Sequence, residues 1–596
     1  MKHIIIILAF TFGCIDLISQ SHLPPAPNWN GKSSELLAQP NSKWITPFEQ
    51  SNGLRSASIA EMRNWFGRLK QEFSQVNELV IGQTANETPI WAYAFSQDKE
   101  FAFSMQRSNK PLFIFQAGIH SGEIDGLDAG MMLFRDLCTG PLKSLASKVD
   151  VLFIPAINID GLMRLSDKNR INQRGPLLQG WRSNSLNQNL NRDYSKLDSY
   201  EIKSVVELIV ALNPELYVDI HVTDGADYQY DITYGFQGDH AYSPNISRWL
   251  ATKLRSDADR KLSKLGHIPG DLVFLKDEKD PRQGNQLYTF GARFSHGYGD
   301  ARHLPTVLVE NHSLKPFKQR VLGTRVLMEA MLEAVSQDID ALRNAMKLDE
   351  NNRQTNIPVA WEIPTIAKDS IIFKAIKSTT KFSDAAGGNV TSWNGEKVDV
   401  MIPLFQQNQP KSFINRPNYY CIPANRLEIK ERIKSHGIKH RLLENDSLIE
   451  VELLQVKNFK LQGSTTNQGR TRMSAEFEPI VKKFRFLRGS MLISTDQPLG
   501  TLACILLDPN SPDSFFQWGF LGDIAERTEY FEAYAMAPLA DEMMKNNARL
   551  KSEFDAKCAS DQAFRNDQDA RLHWWYERSE WSDENWMLYP IGKIKN

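Results

Sequence analysis

The chain is expected to fold as an α/β unit built on a mixed sheet, followed by a β-rich accessory domain that ends in a helical section. Three observations lead there. Apolar runs of strand length recur at 112–117, 151–157, 216–220 and 307–309, and helix-like stretches at 127–137, 200–212 and 243–265 are interleaved with them. Buried strands alternating with helices argue for a largely parallel or mixed sheet covered on both faces. Around 347–357 the sequence turns polar (Lys347-Leu-Asp-Glu-Asn-Asn-Arg-Gln-Thr-Asn), and beyond it short β-like segments alternate with turns. At 596 residues the chain is too long for one ordinary core.

The elements follow in order. Residues 22–55, rich in Pro, Asn and Ser, read as an extended arm. Helical periodicity over 58–75 places Ile59, Met62, Phe66, Leu69 and Phe73 on one face. Short strands are expected at 78–81 and 89–95. A last helix over 318–346 closes the α/β unit. In the C-terminal half, 371–373, 448–453 and 500–507 read as strands, and helices return at 521–556. The expected divisions are therefore a leader 1–20, an arm 21–57, a catalytic domain 58–346, a linker 347–357 and an accessory domain 358–596.

Composition narrows the function. With 41% hydrophobic and 24% charged residues and a formal net charge of -1, the chain lacks the basic stripe or acidic tail that nucleic-acid or anionic-membrane binding draws on. Its five cysteines, Cys14, Cys138, Cys421, Cys504 and Cys558, are too scattered for a disulfide framework or a zinc ribbon. Lys2 and His3 precede an apolar run from Ile4 to Phe12, which is the layout of a secretory signal peptide and is too short to span a bilayer. Export to the periplasm or the outside is expected. Cys14 follows Gly13 as a lipid-attachment cysteine would, but Thr11 and Phe12 fit that signal poorly.

Three strand-like runs end in residues that bind or use a metal. Leu112-Phe-Ile-Phe-Gln-Ala-Gly-Ile-His120 leads into Ser-Gly-Glu123, Leu216-Tyr-Val-Asp-Ile-His221 ends in histidine, and Val307-Leu-Val-Glu310 ends in glutamate. The carboxyl ends of strands in open α/β sheets face the ligand crevice, so these residues can be neighbours despite their separation. A catalytic zinc takes three His or carboxylate ligands and keeps one position open. His120, Glu123 and His221 supply three, leaving Glu310 as a base.

His-x-x-Glu alone is common, and a surface helix start with a capping Glu explains it equally well. The intervening sequence adds the rest. His120-Ser-Gly-Glu123, then Asn158-Ile-Asp-Gly161, Arg182-Ser-Asn, Asn189-Leu-Asn191-Arg192-Asp-Tyr194, His221 and Glu310 occur in an order that resembles the zinc carboxypeptidase family, over roughly residues 58–335. The resemblance implies a carboxypeptidase-like mixed sheet and one zinc ion held by His120, Glu123 and His221. It implies Glu310 as general base and then general acid, and Arg182 as the partner of the oxyanion. Asn191 and Arg192 would grip the terminal carboxylate of a peptide substrate. A mobile tyrosine is also implied; Tyr288 and Tyr298 are both candidates, Tyr298 lying in a glycine-bracketed loop. The family has Asp where this chain has Asn189, as outer partner of a zinc histidine; Asn accepts the hydrogen bond but brings no charge. His296, His303 and His312 read as loop or supporting residues, and Trp574, Trp575, Trp581 and Trp586 as packing.

The same scaffold would serve to trim peptidoglycan stem peptides or to deacylate amino-acid conjugates. A binding module without chemistry would need neither Glu310 nor Arg182.

Overall fold

The computed structural model describes residues 22–98, 101, 105–462 and 469–595. The leader and Cys14 lie outside them. No helix among the described residues is long and apolar enough to cross a membrane.

Strands β1 (Val76–Gln83), β2 (Pro89–Phe95), β3 (Leu112–Ala117), β4 (Asp150–Ile154), β5 (Leu216–Val222), β6 (Ile232–Gly235), β7 (Pro269–Gly270), β8 (Asn285–Leu287) and β9 (Thr306–Asn311) occur in the first half. All but β8 form one eight-stranded sheet, in the order β1-β2-β4-β3-β5-β9-β6-β7. Its centre, β4-β3-β5-β9, is parallel. The first hairpin and the β6–β9 pair are antiparallel, so the sheet is mixed as expected. Every residue of β3, β4 and β5 is buried, which is why these strands are mostly apolar without alternation, with Gln116, Asp150, Asp219 and His221 as the polar exceptions.

Each face of the sheet carries a core. One joins Phe113, Phe115 and Phe153 to Met62, Trp65 and Phe66 of the helix Ile59–Glu72 and to Leu133 and Phe134 of the helix Asp125–Thr139. Ser58 and Glu61 close the former helix with a capping box. Trp44 and Phe48 enter this core, so the expected extended arm is in fact packed down; its Pro and Asn content hid two aromatic anchors. The other face joins Ile114, Leu152 and Ile154 to Val205 and Ile209, and continues without a break into Ile422, Ile493, Leu502 and Trp518.

The single helix expected over 318–346 is two, Phe317–Gln337 and Ile339–Glu350, broken at Asp338. The polar stretch at 347 begins inside the second, and β10 (Asn356–Glu362) follows it. Strands β11 (Asp369–Ser383) and β12 (Gly388–Gln406) form a long hairpin, and β12 pairs in parallel with β8. After β13 (Gln409–Asn415), strands β14 (Tyr419–Ile422), β15 (Arg441–Leu442), β16 (Ser447–Leu461), β17 (Met473–Phe486), β18 (Met491–Ser494) and β19 (Leu588–Ile594) make a six-stranded sheet. Helices lie at Ala533–Asn546, Ala548–Ser560 and Gln568–Tyr576.

One expected strand is corrected. Residues 500–507 are the α-helix Gly500–Leu507. All eight positions are buried, so no polar face marks the helical period, and a short apolar run does not distinguish the two structures.

His436, just beyond the helix Leu427–Ser435, ties the halves together. Its Nδ1 lies 3.0 Å from the Tyr298 hydroxyl and its Nε2 3.2 Å from the Ser195 carbonyl. Burial pushes it down to about 3, so it folds as the neutral ring. The unfolded chain takes up that proton near 6.5, so this stability is complete above about pH 6.5 and drains away as pH falls, by about 1.4 kcal/mol per unit. Urea unfolding at about pH 7.5 and about pH 5 is expected to show wild type losing about 2 kcal/mol more than His436→Gln. Equal losses would contradict the neutral ring.

Candidate functional site

The sheet order sets β3, β5 and β9 side by side and parallel, so their carboxyl ends share one edge. The chain leaving β3 turns at Gly118, whose φ is +67° and where a Cβ would sit 3.1 Å from the Ala156 Cα. Both conformation and space favour glycine there. The turn carries His120 and Glu123 over the edge. His221 and Glu310 need no turn: they face each other in register near the ends of β5 and β9.

Asn158 braces the turn. Its Oδ1 accepts from the Gly161 N–H at 2.9 Å, and its amide donates to the carbonyls of Ile119 and Arg182, both at 3.2 Å. The Ser121 hydroxyl donates to the Asn158 carbonyl at 2.6 Å. The Asn158–Gly161 motif thus holds the loop bearing Arg182 against the loop bearing His120.

His120, Glu123 and His221 are buried, and one donor atom from each lies within 4.8 Å of the others. Both Nδ1 atoms face Glu123 Oε2 at 3.1 Å. Both Nε2 atoms turn outward, His120 to Asn189 Oδ1 at 3.0 Å and His221 to Asp219 Oδ2 at 2.8 Å. Burial would lower His221, but Asp219 and then Glu123 hold it well above the usual histidine range, so its ring donates from both nitrogens; a cation bound among the three side chains would displace the proton on Nδ1. Two imidazoles and a carboxylate suit zinc with an open position. The other oxygen of Glu123 is held by Arg170 at 2.9 Å and Arg182 at 3.0 Å. Burial would raise Glu123, but His120 and Arg170 keep it well below the usual carboxylate range.

These residues open onto a cavity of about 350 Å³, lined also by Asn191, Arg192, Glu310 and Tyr288. Burial, followed by the neighbouring carboxylates Glu123, Asp224 and Asp219, pushes Glu310 up to about 8 against the pull of His221. Arg192 donates to the Asn191 carbonyl at 2.6 Å and lies over the Phe294 ring; among the described residues it is in no ion pair, and Glu310 is the carboxylate that acts on it from a distance. Burial, with Arg182 and Arg293 near, lowers it to about 10. Asn191 Oδ1 accepts from the Ser295 N–H at 3.1 Å.

The two tyrosines separate. Tyr288 is on the cavity wall and 39% exposed. Tyr298, expected in a movable loop, is instead fully buried in the helix Ser295–Ala301 and bonded to His436 and Arg302. The flanking glycines serve close packing there: a Cβ on Gly297 would lie 2.1 Å from the Gly291 carbonyl. Tyr298 therefore does not reach the cavity.

Sequence reasoning missed Asp219, Arg170 and the cavity place of His296. Asp219 left a signal, a carboxylate inside an otherwise apolar buried strand, which has to find a partner. Arg170, in a polar loop, left none. His296 lies on the cavity wall with no hydrogen-bond partner for either nitrogen among the described residues, and burial holds it down at about 3. His303 and His312 lie behind the wall, bonded to Ser243 and Asp227.

A buried His–Glu–His group at the carboxyl edge of a mixed sheet, with a free carboxylate beside it, defines a metal-dependent hydrolase. Residues 62–272 match the zinc carboxypeptidase family, and the chain carries a zinc carboxypeptidase domain: it is a peptide-bond hydrolase with zinc as its cofactor. Glu310 lies beyond the matched stretch. Carboxypeptidase 2 of Trichophyton tonsurans is 21% identical over 481 residues, 78% of this chain and 82% of that protein. Carboxypeptidase 2 of Trichophyton equinum is 21% identical over 516 residues, 83% and 90% of the two chains. A solved metallo-carboxypeptidase from Pseudomonas aeruginosa, in complex with (2-guanidinoethylmercapto)succinic acid, is 17% identical at a TM-score of 0.35, over 48% of this chain and 70% of that one.

Proposed function

We propose that the protein releases C-terminal residues from peptides bearing a free carboxylate, outside the cytoplasm. The observation that carries this reading is Arg192, a largely buried guanidinium without a carboxylate partner, in the same cavity as the His120–Glu123–His221 group. A buried unpaired cation is costly, and a substrate carboxylate offsets that cost with a charge-assisted, two-pronged contact. Asn191 supplies a further polar contact beside it. Zinc, held by His120, Glu123 and His221, supplies Lewis acidity for the carbonyl and the attacking water. Glu310, which faces His221 in register and opens onto the cavity, takes the water proton onto its carboxylate and returns it to the leaving amine. Arg182, bonded to Glu123 and 45% exposed, is free to turn its remaining N–H groups toward the developing oxyanion. Of the two tyrosines, Tyr288 is assigned to cover the substrate, because it lines the cavity. Export is supported by the charged, then apolar, N-terminus.

The test compares matched peptides with free and amidated C-termini. Amidation is expected to abolish most cleavage, and Arg192→Gln to lower kcat/KM on the free acid about 10–100-fold, the worth of one charged hydrogen bond. Equal cleavage of both peptides would rule out carboxylate recognition.

A further inference from the structure

The two metal-binding histidines are supported unequally. The outward nitrogen of His120 meets a neutral amide, Asn189, at 3.0 Å, whereas that of His221 meets a carboxylate, Asp219, at 2.8 Å. Asp219 sits two residues before His221 on β5, so both side chains emerge on the same face of the strand. It is fully buried and has no Lys or Arg partner among the described residues. Its second oxygen accepts from the Gln116 amide at 3.2 Å, which also donates to the Tyr194 hydroxyl at 3.1 Å; Tyr194 is bonded in turn to Tyr217. Such a chain fixes the carboxylate rather than neutralising it. A buried carboxylate held on one oxygen by a neutral amide and on the other by the ring of a ligand histidine is placed to orient that ring.

We infer that Asp219 is the positioning residue that gives this zinc site its outer negative charge, replacing through His221 what Asn189 does not provide through His120. This rests on the zinc reading above. Outer carboxylates orient the ring, fix its tautomer so that Nδ1 faces the ion, and strengthen the ligand. The resemblance places that carboxylate at position 189, just before the short helix Leu190–Arg192; in this chain position 189 is Asn, and the carboxylate that reaches a ligand ring is Asp219 on β5.

Zinc affinity, read by competition with a chromophoric chelator, tests the assignment without recourse to turnover. Asp219→Asn is expected to weaken zinc binding about 10–100-fold, and Asn189→Ala distinctly less. Adding Asn189→Asp to Asp219→Asn is expected to restore most of the lost affinity, which a merely structural role for Asp219 would not permit. Unchanged affinity in Asp219→Asn, or no rescue by the second change, overturns the inference. Should Asp219→Asn fail to fold, Asn189→Ala decides: a loss of tenfold or more there means that Asn189 is the important partner and overturns it too. Wild-type protein that takes up no zinc would remove the metal site itself, an outcome distinct from these.

Discussion

Glu310→Gln is expected to lower kcat by about 10²–10⁴-fold while the protein keeps its zinc, the range general acid–base catalysis supplies. The substitution keeps the shape of the side chain and removes only its ability to carry a proton between water and amine. Glu310 faces His221 in register, opens onto the cavity, and is pushed up to about 8 by burial and by the surrounding carboxylates. None of the three ligand candidates is altered, so metal content should stay near one ion per chain. Peptide turnover measured beside zinc content checks both halves. Activity within tenfold of wild type would show that the proton travels by another route.

The parts of this site that were legible in the sequence share a physical cause. His221 and Glu310 interrupt apolar strands near their carboxyl ends and His120 follows one just past its end, where a polar residue stands out and where parallel strands deliver it to one edge. Arg182 lies in an irregular loop and Asn191 and Arg192 in the three-residue 3-10 helix Leu190–Arg192, too short to show periodicity, and only the order of motifs pointed to them. What stayed hidden was decided by tertiary packing. Tyr298 looked mobile because glycines flank it, yet those glycines allow close approach of backbone, and His436, more than 130 residues away in sequence, pins its hydroxyl. The helix Gly500–Leu507 passed for a strand because the second half of the chain buries every one of its faces. Trp44 and Phe48 sat in a stretch whose composition suggested exposure, and their burial depends on the helix and sheet they cover.

The largest loss of stability is expected from Arg320→Met, about 3–5 kcal/mol, the cost of stranding one partner of a buried ion pair. Arg320 is fully buried in the helix Phe317–Gln337. Its Nε and one terminal nitrogen grip both oxygens of Asp125, at 2.8 and 3.1 Å. The remaining N–H groups reach the carbonyls of Arg174, Gly175, Ser313 and Lys315. Methionine fills the space of the stem but leaves a buried carboxylate and the carbonyls of Arg174 and Lys315 without their donor, while Ser313 and Gly175 keep the Arg174 N–H and the Gln173 and Gln179 amides. Asp125 stands two residues beyond Glu123, so the damage should spread to the ligand turn, and zinc affinity should fall together with stability. Adding Asp125→Leu removes the stranded charge, and the double variant should recover part of the loss. Recovery will be incomplete, because the Arg174 and Lys315 carbonyls remain unserved. Urea unfolding of the two single variants and the double variant closes the cycle. A loss below about 1 kcal/mol in Arg320→Met would mean that water reaches this pair and that the ligand turn does not depend on it.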